Sequence, residues 1–466
     1  MQPEAVDSRE ASVVDESGGT GEDTSVTDEN RVSIRRRKRV ARIAADWRTR
    51  HSPYLVSPEN ADGWTRARLF PAVRSSTTTE QEMRAASVAL AVMAIVPELG
   101  KQIVGLVGGP RGKIECYTEV RFTHADQDLR PDGLIRVTRG DKQWTALVEV
   151  KTGKGVMKAE QIDAYLKLAR VKSFDAVVTV SCDIMPAPDE LPVAVDARHT
   201  RSVALQHISW EEILAAAALV SAHGGVDDRT RAGVLAEFLR YGCDSRSGMC
   251  SFDDMGKHWV KVRSGVKDST LSPGEVATAE ICRRFDQLGM HLALQLSALT
   301  GQQVTARGAS AHVDAVSRAK QLADSGELFG TLRIPGTVSL VVYHANLARE
   351  RISCSMTMPA PRSGRPVTKV NWLIRQLDEA PPALRVTGHQ LGSRTESASA
   401  LLGGLRDDVA AILPPAGKDI REFTMTMEVA MGSKRSTDKG FVHAMTNLVN
   451  DFYEAVVASV KPAPRT

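Results

Sequence analysis

The sequence predicts an α/β architecture: a mixed sheet flanked by helices, followed by a separate α+β region. Three observations predict it. From about Pro53 to Ala222, apolar runs of period two alternate with helical ones in the order helix, three strands, helix, strand, strand, helix. "DAVVTVS" (175–181) is Val-rich and apolar without alternation, as in a strand covered on both faces. "SAHGGVDDRTR" (221–231) is polar with a Gly pair and reads as a linker before the second region.

The first unit opens with "TTTEQEMRAASVALAVMAIVPELG" (77–100). It reads as one helix, apolar nearly all round from Ala85 to Val96, with Thr79 and Glu82 as its capping box. "KIECYTEVRF" (113–122) alternates as a strand. "GLIRVT" (133–138) and "WTALVEVK" (144–151) are two more strands, joined by the turn-like "RGDKQ". "KAEQIDAYLKLARVK" (158–172) is a helix, and "VALQHISWEEILAAAAL" (203–219) is a strand running into a helix. In the second region, Ser272, Pro273 and Glu275 signal the start of a long helix. "TVSLVVYHANL" and "RISCSMTMP" read as a hairpin, and "TKVNWLIRQLDEA" as an amphipathic helix with Trp372 on its apolar side. "REFTMTMEVAM" as a strand and "KGFVHAMTNLVNDFYEAVVASV" as a helix close the chain. The expected layout is therefore 1–52 as tail and arm, 53–222 as the first domain, and 223–466 as an α+β domain with no catalytic motif.

The 466 residues are 42% hydrophobic, 25% charged and 5% aromatic, which suits two or three globular domains. No run of eighteen apolar residues and no signal-peptide pattern is present, so a cytoplasmic protein without membrane contact is expected. The six cysteines are scattered with no C-x-x-C pair. This argues against a zinc or iron–sulfur site and suits reduced thiols. The net charge of +4 conceals a polar layout. Residues 1–30 carry nine acids against one base and should be disordered; residues 31–50 carry nine bases against one acid. The basic stretch is either an arm that meets phosphate or a charge run paired with its acidic neighbour.

Chemistry concentrates in "RPDGLIRVTRGDKQWTALVEVKTG" (130–153). In a strand, residues two apart share a face, so Glu149 and Lys151 point together and Val150 points away. The apolar "TALV" ahead of them argues against an exposed edge, and a lone charge there is costly. Asp132 begins the preceding strand, and antiparallel pairing brings it beside Glu149. Asp132, Glu149 and the Val150 carbonyl then form a hard-oxygen cluster suited to Mg²⁺ or Mn²⁺, with the Lys151 ammonium placed to orient a water and offset phosphoryl charge. Other readings stay open. Asp132 suits a turn before Gly133, Glu149 and Lys151 suit a surface ion pair, and Glu82 suits either the helix cap or the metal site.

These residues resemble the PD-(D/E)xK nuclease superfamily: Pro131-Asp132 as the first pair, Glu149-Val150-Lys151 as the second, then Gln161 and Tyr165 four apart as in the Q-x-x-x-Y element of the RecB-like branch. The resemblance spans roughly residues 80–214. It implies a restriction-endonuclease-like core and Mg²⁺- or Mn²⁺-dependent hydrolysis of DNA phosphodiesters. Asp132 and Glu149 would bind metal, joined by Val150 and Glu82. Lys151 would assist the water, and Gln161 with Tyr165 would contact or position the nucleic-acid backbone. A glutamate at Glu82, where many RecB-like exonucleases carry histidine, favours an endonuclease. DNA is expected over RNA, in defence or repair. The alternative is a catalytically silent nucleic-acid-binding or regulatory protein built on the same domain. For the C-terminal region target recognition, partner binding and self-association as a homodimer all stay open.

Overall fold

In this computed structural model the described residues are 62–69, 77–124, 127–186, 190–249, 252–308, 315–433 and 440–463. The acidic tail and basic arm expected over 1–50 lie outside them. In chain order the elements of the first layer are β1 (Thr65–Arg66), α1 (Thr78–Ile95), α2 (Pro97–Leu106), β2 (Lys113–Thr118), β3 (Phe122–His124), β4 (Gln127–Leu129), β5 (Gly133–Arg139), β6 (Lys142–Val150), α3 (Ala159–Val171), β7 (Ala176–Ser181), β8 (Ala204–Ser209), α4 (Trp210–Leu219) and α5 (Arg229–Cys243). They build a mixed six-stranded sheet of order β1-β2-β5-β6-β7-β8, with β3 and β4 paired separately as a hairpin. Neighbours from β1 to β6 are antiparallel, whereas β6, β7 and β8 are parallel. The switch falls where α3 carries the chain from β6 back to the start of β7, a crossover that parallel strands require.

Both faces of this sheet are covered, which is why β6 and β7 lack polar alternation. Val148, Val150 and Val178 pack against α1, α2 and α4 through Leu90, Leu99 and Trp210. Leu147, Leu134 and Val177 face the opposite core with Ile162 and Leu166 of α3. Four expectations are corrected here. The helix expected over 77–100 is two helices, because Pro97 cannot continue the ladder of α1; the two meet at 114°. Its capping pair is Thr77 and Glu80, whose carboxylate accepts the Thr77 N–H at 3.0 Å, so Glu82 is not spent on the cap. The strand expected over 113–122 ends at Thr118, because Glu119 takes a left-handed backbone with φ of 54°. The 221–231 stretch is the end of a π-helical turn (Val220–Gly224), a short bend with Gly225 at φ 66° and the start of α5, whose Leu235 and Phe238 bury into the same core as α1.

The second layer contains α6 (Trp259–Lys267), α7 (Val276–Thr300), β9 (Thr305–Gly308), α8 (Ala315–Ser325), β10 (Glu327–Arg333), β11 (Val341–Asn346), β12 (Arg351–Pro359), α9 (Pro366–Ile374), β13 (Arg385–Gln390), β14 (Ser397–Leu401), α10 (Leu402–Asp407), β15 (Ile420–Ala430) and α11 (Phe441–Phe452). Its seven strands form an antiparallel sheet of order β14-β13-β15-β12-β11-β10-β9. Alternate residues of β11 and β12, such as Tyr343, Ala345, Cys354 and Met356, share a core with Phe285 of α7 and Phe441 of α11. Apart from Ile184, which joins the second core, the apolar cores change over along the chain between Met249 and Phe252. α7 begins three residues after Pro273, with Glu275 as its N-cap, because Ser272 uses its carbonyl to accept the Thr278 hydroxyl at 2.8 Å.

No single described helix is long and apolar enough to cross a membrane, and the apolar α1–α2 pair is spent on the core. Cys116, Cys243, Cys282 and Cys354 are free thiols, but Cys182 is disulfide-bonded, contrary to the expectation of reduced thiols. Folding brings the end of β7 against the turn after α5, with Cys182 Sγ 3.6 Å from the Gly248 carbonyl; spacing along the chain carries no sign of that approach.

The α1–α2 bend is closely packed at Gly100. A Cβ at Gly100 would lie 2.3 Å from the Met93 carbonyl oxygen and 2.9 Å from Ile114 Cδ1. Gly100→Ala is therefore expected to destabilise by about 1–3 kcal/mol through overpacking, read as a lowered urea midpoint at unchanged m-value. An unchanged midpoint would show that the bend tolerates the side chain.

Candidate functional site

The register of the β5–β6 hairpin builds the site. Gly133 lies opposite Val148, so the pairing carries Asp132 beside Glu149 at the end of the ladder. Asp132 Oδ2 accepts the Val150 N–H at 2.7 Å, which fixes its carboxylate over the end of β6. Lys151 Nζ donates to Glu149 Oε1 at 2.6 Å and to the Val150 carbonyl at 3.0 Å. It also reaches Glu82 Oε2 of α1 at 3.4 Å. Asp132, Glu149, Lys151 and Glu82 are thus brought together, and Glu149 is only 1% exposed.

Burial and crowding of like charges set the electrostatics. Burial, then the neighbouring Glu149 charge, pushes the Asp132 carboxyl up to about 7 against the Val150 N–H bond. Burial also raises Glu149, and the Lys151 ammonium holds part of that rise back. For Lys151 burial acts downward, but Glu149, Asp132 and Glu82 outweigh it and its pKa ends raised. The cluster is an ammonium embedded in three carboxyl groups.

Tyr165 stands beside the same cluster, its hydroxyl close enough to Glu149 to hold that carboxyl's pKa down, and Gln161 stands beside Tyr165. Gln161 Nε2 donates to the Tyr165 hydroxyl at 3.1 Å, and that hydroxyl donates to the Arg130 carbonyl at 3.0 Å. Tyr165 is buried, so it holds the segment leading into Asp132 through this bond.

The donor set fits a hard divalent cation in one respect and crowds it in another. Glu149 Oε2 is buried without a hydrogen-bond partner, an acceptor with unused capacity. Yet Lys151 Nζ lies on Glu149 Oε1 and the Val150 carbonyl, two oxygens of the expected metal cluster. Among the described residues no group of three or more His, Cys, Asp or Glu is arranged as a metal cage. The ammonium takes the place that a cation would share.

Sequence reasoning missed the residues that hold this cluster from outside. Thr152 Oγ1 donates to Gln81 Oε1 at 3.2 Å, and Gln81 Nε2 donates to the Arg246 carbonyl at 2.8 Å. The Gly153 N–H donates to the Gly248 carbonyl at 2.9 Å. Gly248 has φ of 76°, and a Cβ there would lie 2.6 Å from Gln81 Cδ and 2.7 Å from Thr152 Cβ. A glycine is required for the turn after α5 to close on the motif. The Trp210 indole donates to the Lys151 carbonyl at 2.9 Å. The partners stand up to 165 positions apart, and no local pattern marks them.

The raised Asp132 carboxyl makes stability depend on pH. In the unfolded chain the carboxyl keeps its ordinary value of 3.8, so between about pH 4 and pH 7 the folded state binds the extra proton. The associated stability is whole below that window and is lost as pH rises through it. In EDTA, the parent should lose more denaturant stability from pH 5 to pH 8 than Asp132→Asn does, by at least about 1 kcal/mol. Parallel pH dependences for the two proteins would refute the assignment. Comparison with family models, curated proteins and solved structures finds no match for this chain.

Proposed function

We propose that this chain is a divalent-metal-dependent nuclease that hydrolyses DNA phosphodiester bonds as an endonuclease, on a restriction-endonuclease-like core, in defence or repair. The observation that carries the reading is the meeting of Asp132, Glu149 and Lys151 at the end of one hairpin, with a buried carboxylate oxygen left without a partner. A surface ion pair does not require burial at 1% exposure, and a turn aspartate does not require a partner on the next strand.

Asp132 and Glu149 would hold Mg²⁺ or Mn²⁺ with the Val150 carbonyl, and Glu82 lies within reach through Lys151. The ion, when bound, supplies Lewis-acid stabilisation of the charge that develops on the phosphate. The residues of the chain do the rest. Lys151, placed by its contact with Glu149, orients the attacking water and offsets negative charge at phosphorus. The new bond joins the water oxygen to phosphorus. The bond to the leaving 3′ oxygen breaks, that oxygen takes a proton, and a 5′-phosphate remains. Tyr165 keeps the Asp132 segment in place, and Gln161 stands beside it for contact with the nucleic-acid backbone.

A second reading, a nucleic-acid-binding or regulatory protein without cleavage, is favoured by the hold of Lys151 on two of the cluster's oxygens. Plasmid nicking with Mg²⁺, Mn²⁺ or EDTA separates the two. The nuclease reading expects metal-dependent nicking, and Asp132→Ala, Glu149→Ala and Lys151→Ala each slower by about 100-fold or more. Variants that nick as fast as the parent would end it. DNA binding with no nicking in either metal would select the second reading.

A further inference from the structure

We propose that Trp210 is a positioning residue for Lys151, braced by the C-terminal layer through Glu211. The catalytic consequence rests on the nuclease reading; the geometry does not. Lys151 lies just beyond the end of β6, outside the ladder that holds Glu149. Its peptide is pinned on two sides instead. Its N–H donates to the Val180 carbonyl at 2.8 Å, and its carbonyl accepts the Trp210 indole N–H at 2.9 Å. From that fixed point the side chain reaches Glu149 at 2.6 Å.

Trp210 is itself held tightly. It is the first residue of α4 and is 1% exposed. Ser209 caps the helix, with its hydroxyl accepting the Glu212 N–H at 3.1 Å and its own N–H donating to the Glu212 carboxylate at 2.7 Å. The next residue, Glu211, is buried, and its partners all come from beyond the first core. One oxygen meets His291 Nδ1 at 2.5 Å and accepts Gln295 Nε2 at 3.1 Å, both from α7; the other accepts the Phe252 N–H at 3.0 Å. His291 Nε2 continues the contact to Thr446 Oγ1 of α11 at 3.1 Å. A buried carboxylate is held by its partners, because losing one leaves a charge in low dielectric. Adjacent residues of one helical turn therefore join Lys151 to the second layer.

The test uses the full-length protein with Trp210→Phe, which keeps the ring and removes the donor, and His291→Leu, which removes the brace. Limited acetylation read by mass spectrometry reports the release of Lys151 from Glu149, with exposed Lys154 as the internal standard. Labelling of Lys151 should rise several-fold in both variants while Lys154 stays constant. In parallel, kcat for nicking should fall about tenfold or more, with KM and DNA affinity held within about twofold, as for a misplaced group and not a lost binding contact. His291→Gln, which retains a donor towards Glu211, should behave as the parent. Unchanged Lys151 labelling in both variants overturns the proposal, and so does an equal rise at all lysines, which marks general loosening. If the parent nicks nothing but Lys151 labelling responds as expected, the nuclease reading fails and the positioning role stands.

Discussion

A carboxylate removed almost wholly from water must find a compensating charge, and at Glu149 that charge is the Lys151 ammonium 2.6 Å away. Much of the first layer serves this contact. The β5–β6 register presents Asp132 to the same place, α1 adds Glu82, and the Val180 and Trp210 bonds fix the peptide from which Lys151 extends. Burial first, and then the excess of carboxyl groups over the one ammonium, raises the Asp132 and Glu149 carboxyls. A bound cation would relieve the same excess, and this shared electrostatic need ties the stability of the cluster to the chemistry proposed for it.

The two layers are joined by polar contacts as well as by apolar packing. Glu211 and His291, both buried, with the half-buried Gln295 and Thr446 form a chain of hydrogen-bonding groups from the N-terminus of α4 to α11. A half-satisfied network of this kind is worse than an apolar contact, so its members hold one relative arrangement of the layers. The turn after α5 adds a second tie, through Gly248 and Arg246, to the loop that follows Lys151. A division of the chain at 222 would assign these groups to the C-terminal domain; they lie against the loop that follows the motif.

Much of the first layer was legible in the sequence because both of its strand signals are local. The alternation of "GLIRVT", the continuous apolar run of "DAVVTVS" and the helical spacing of "KAEQIDAYLKLARVK" each produced the element expected. Errors came where two local signals competed. Thr79 with Glu82 imitates a capping box, but Thr77 with Glu80 forms one, and the difference decides whether Glu82 is available to Lys151. Ser272-Pro273 imitates a helix start but makes the turn before it. The strands β9, β10, β13 and β14 went unread: β9 and β14 are short edge strands, and β10 and β13, though inside the sheet, bury Gly330 and Gly388 where an apolar side chain would have marked the period.

The sequence by itself determined which residues can carry the chemistry: an aspartate at the start of one strand, Glu-Val-Lys at the end of the next, and a Gln–Tyr pair on one face of the following helix. Strand period and hairpin pairing are properties of the local chain, so these residues were identifiable before any coordinates. Only the tertiary structure decided that Tyr165 binds the Arg130 carbonyl, that Lys151 lies on the Val150 carbonyl, and that Trp210, Gln81 and Gly248 surround the motif. Apart from the contact of Lys151 with its neighbour Val150, those contacts join residues tens of positions apart. They arise from how whole layers pack, a global minimum of buried area and satisfied hydrogen bonds that no short window of sequence encodes.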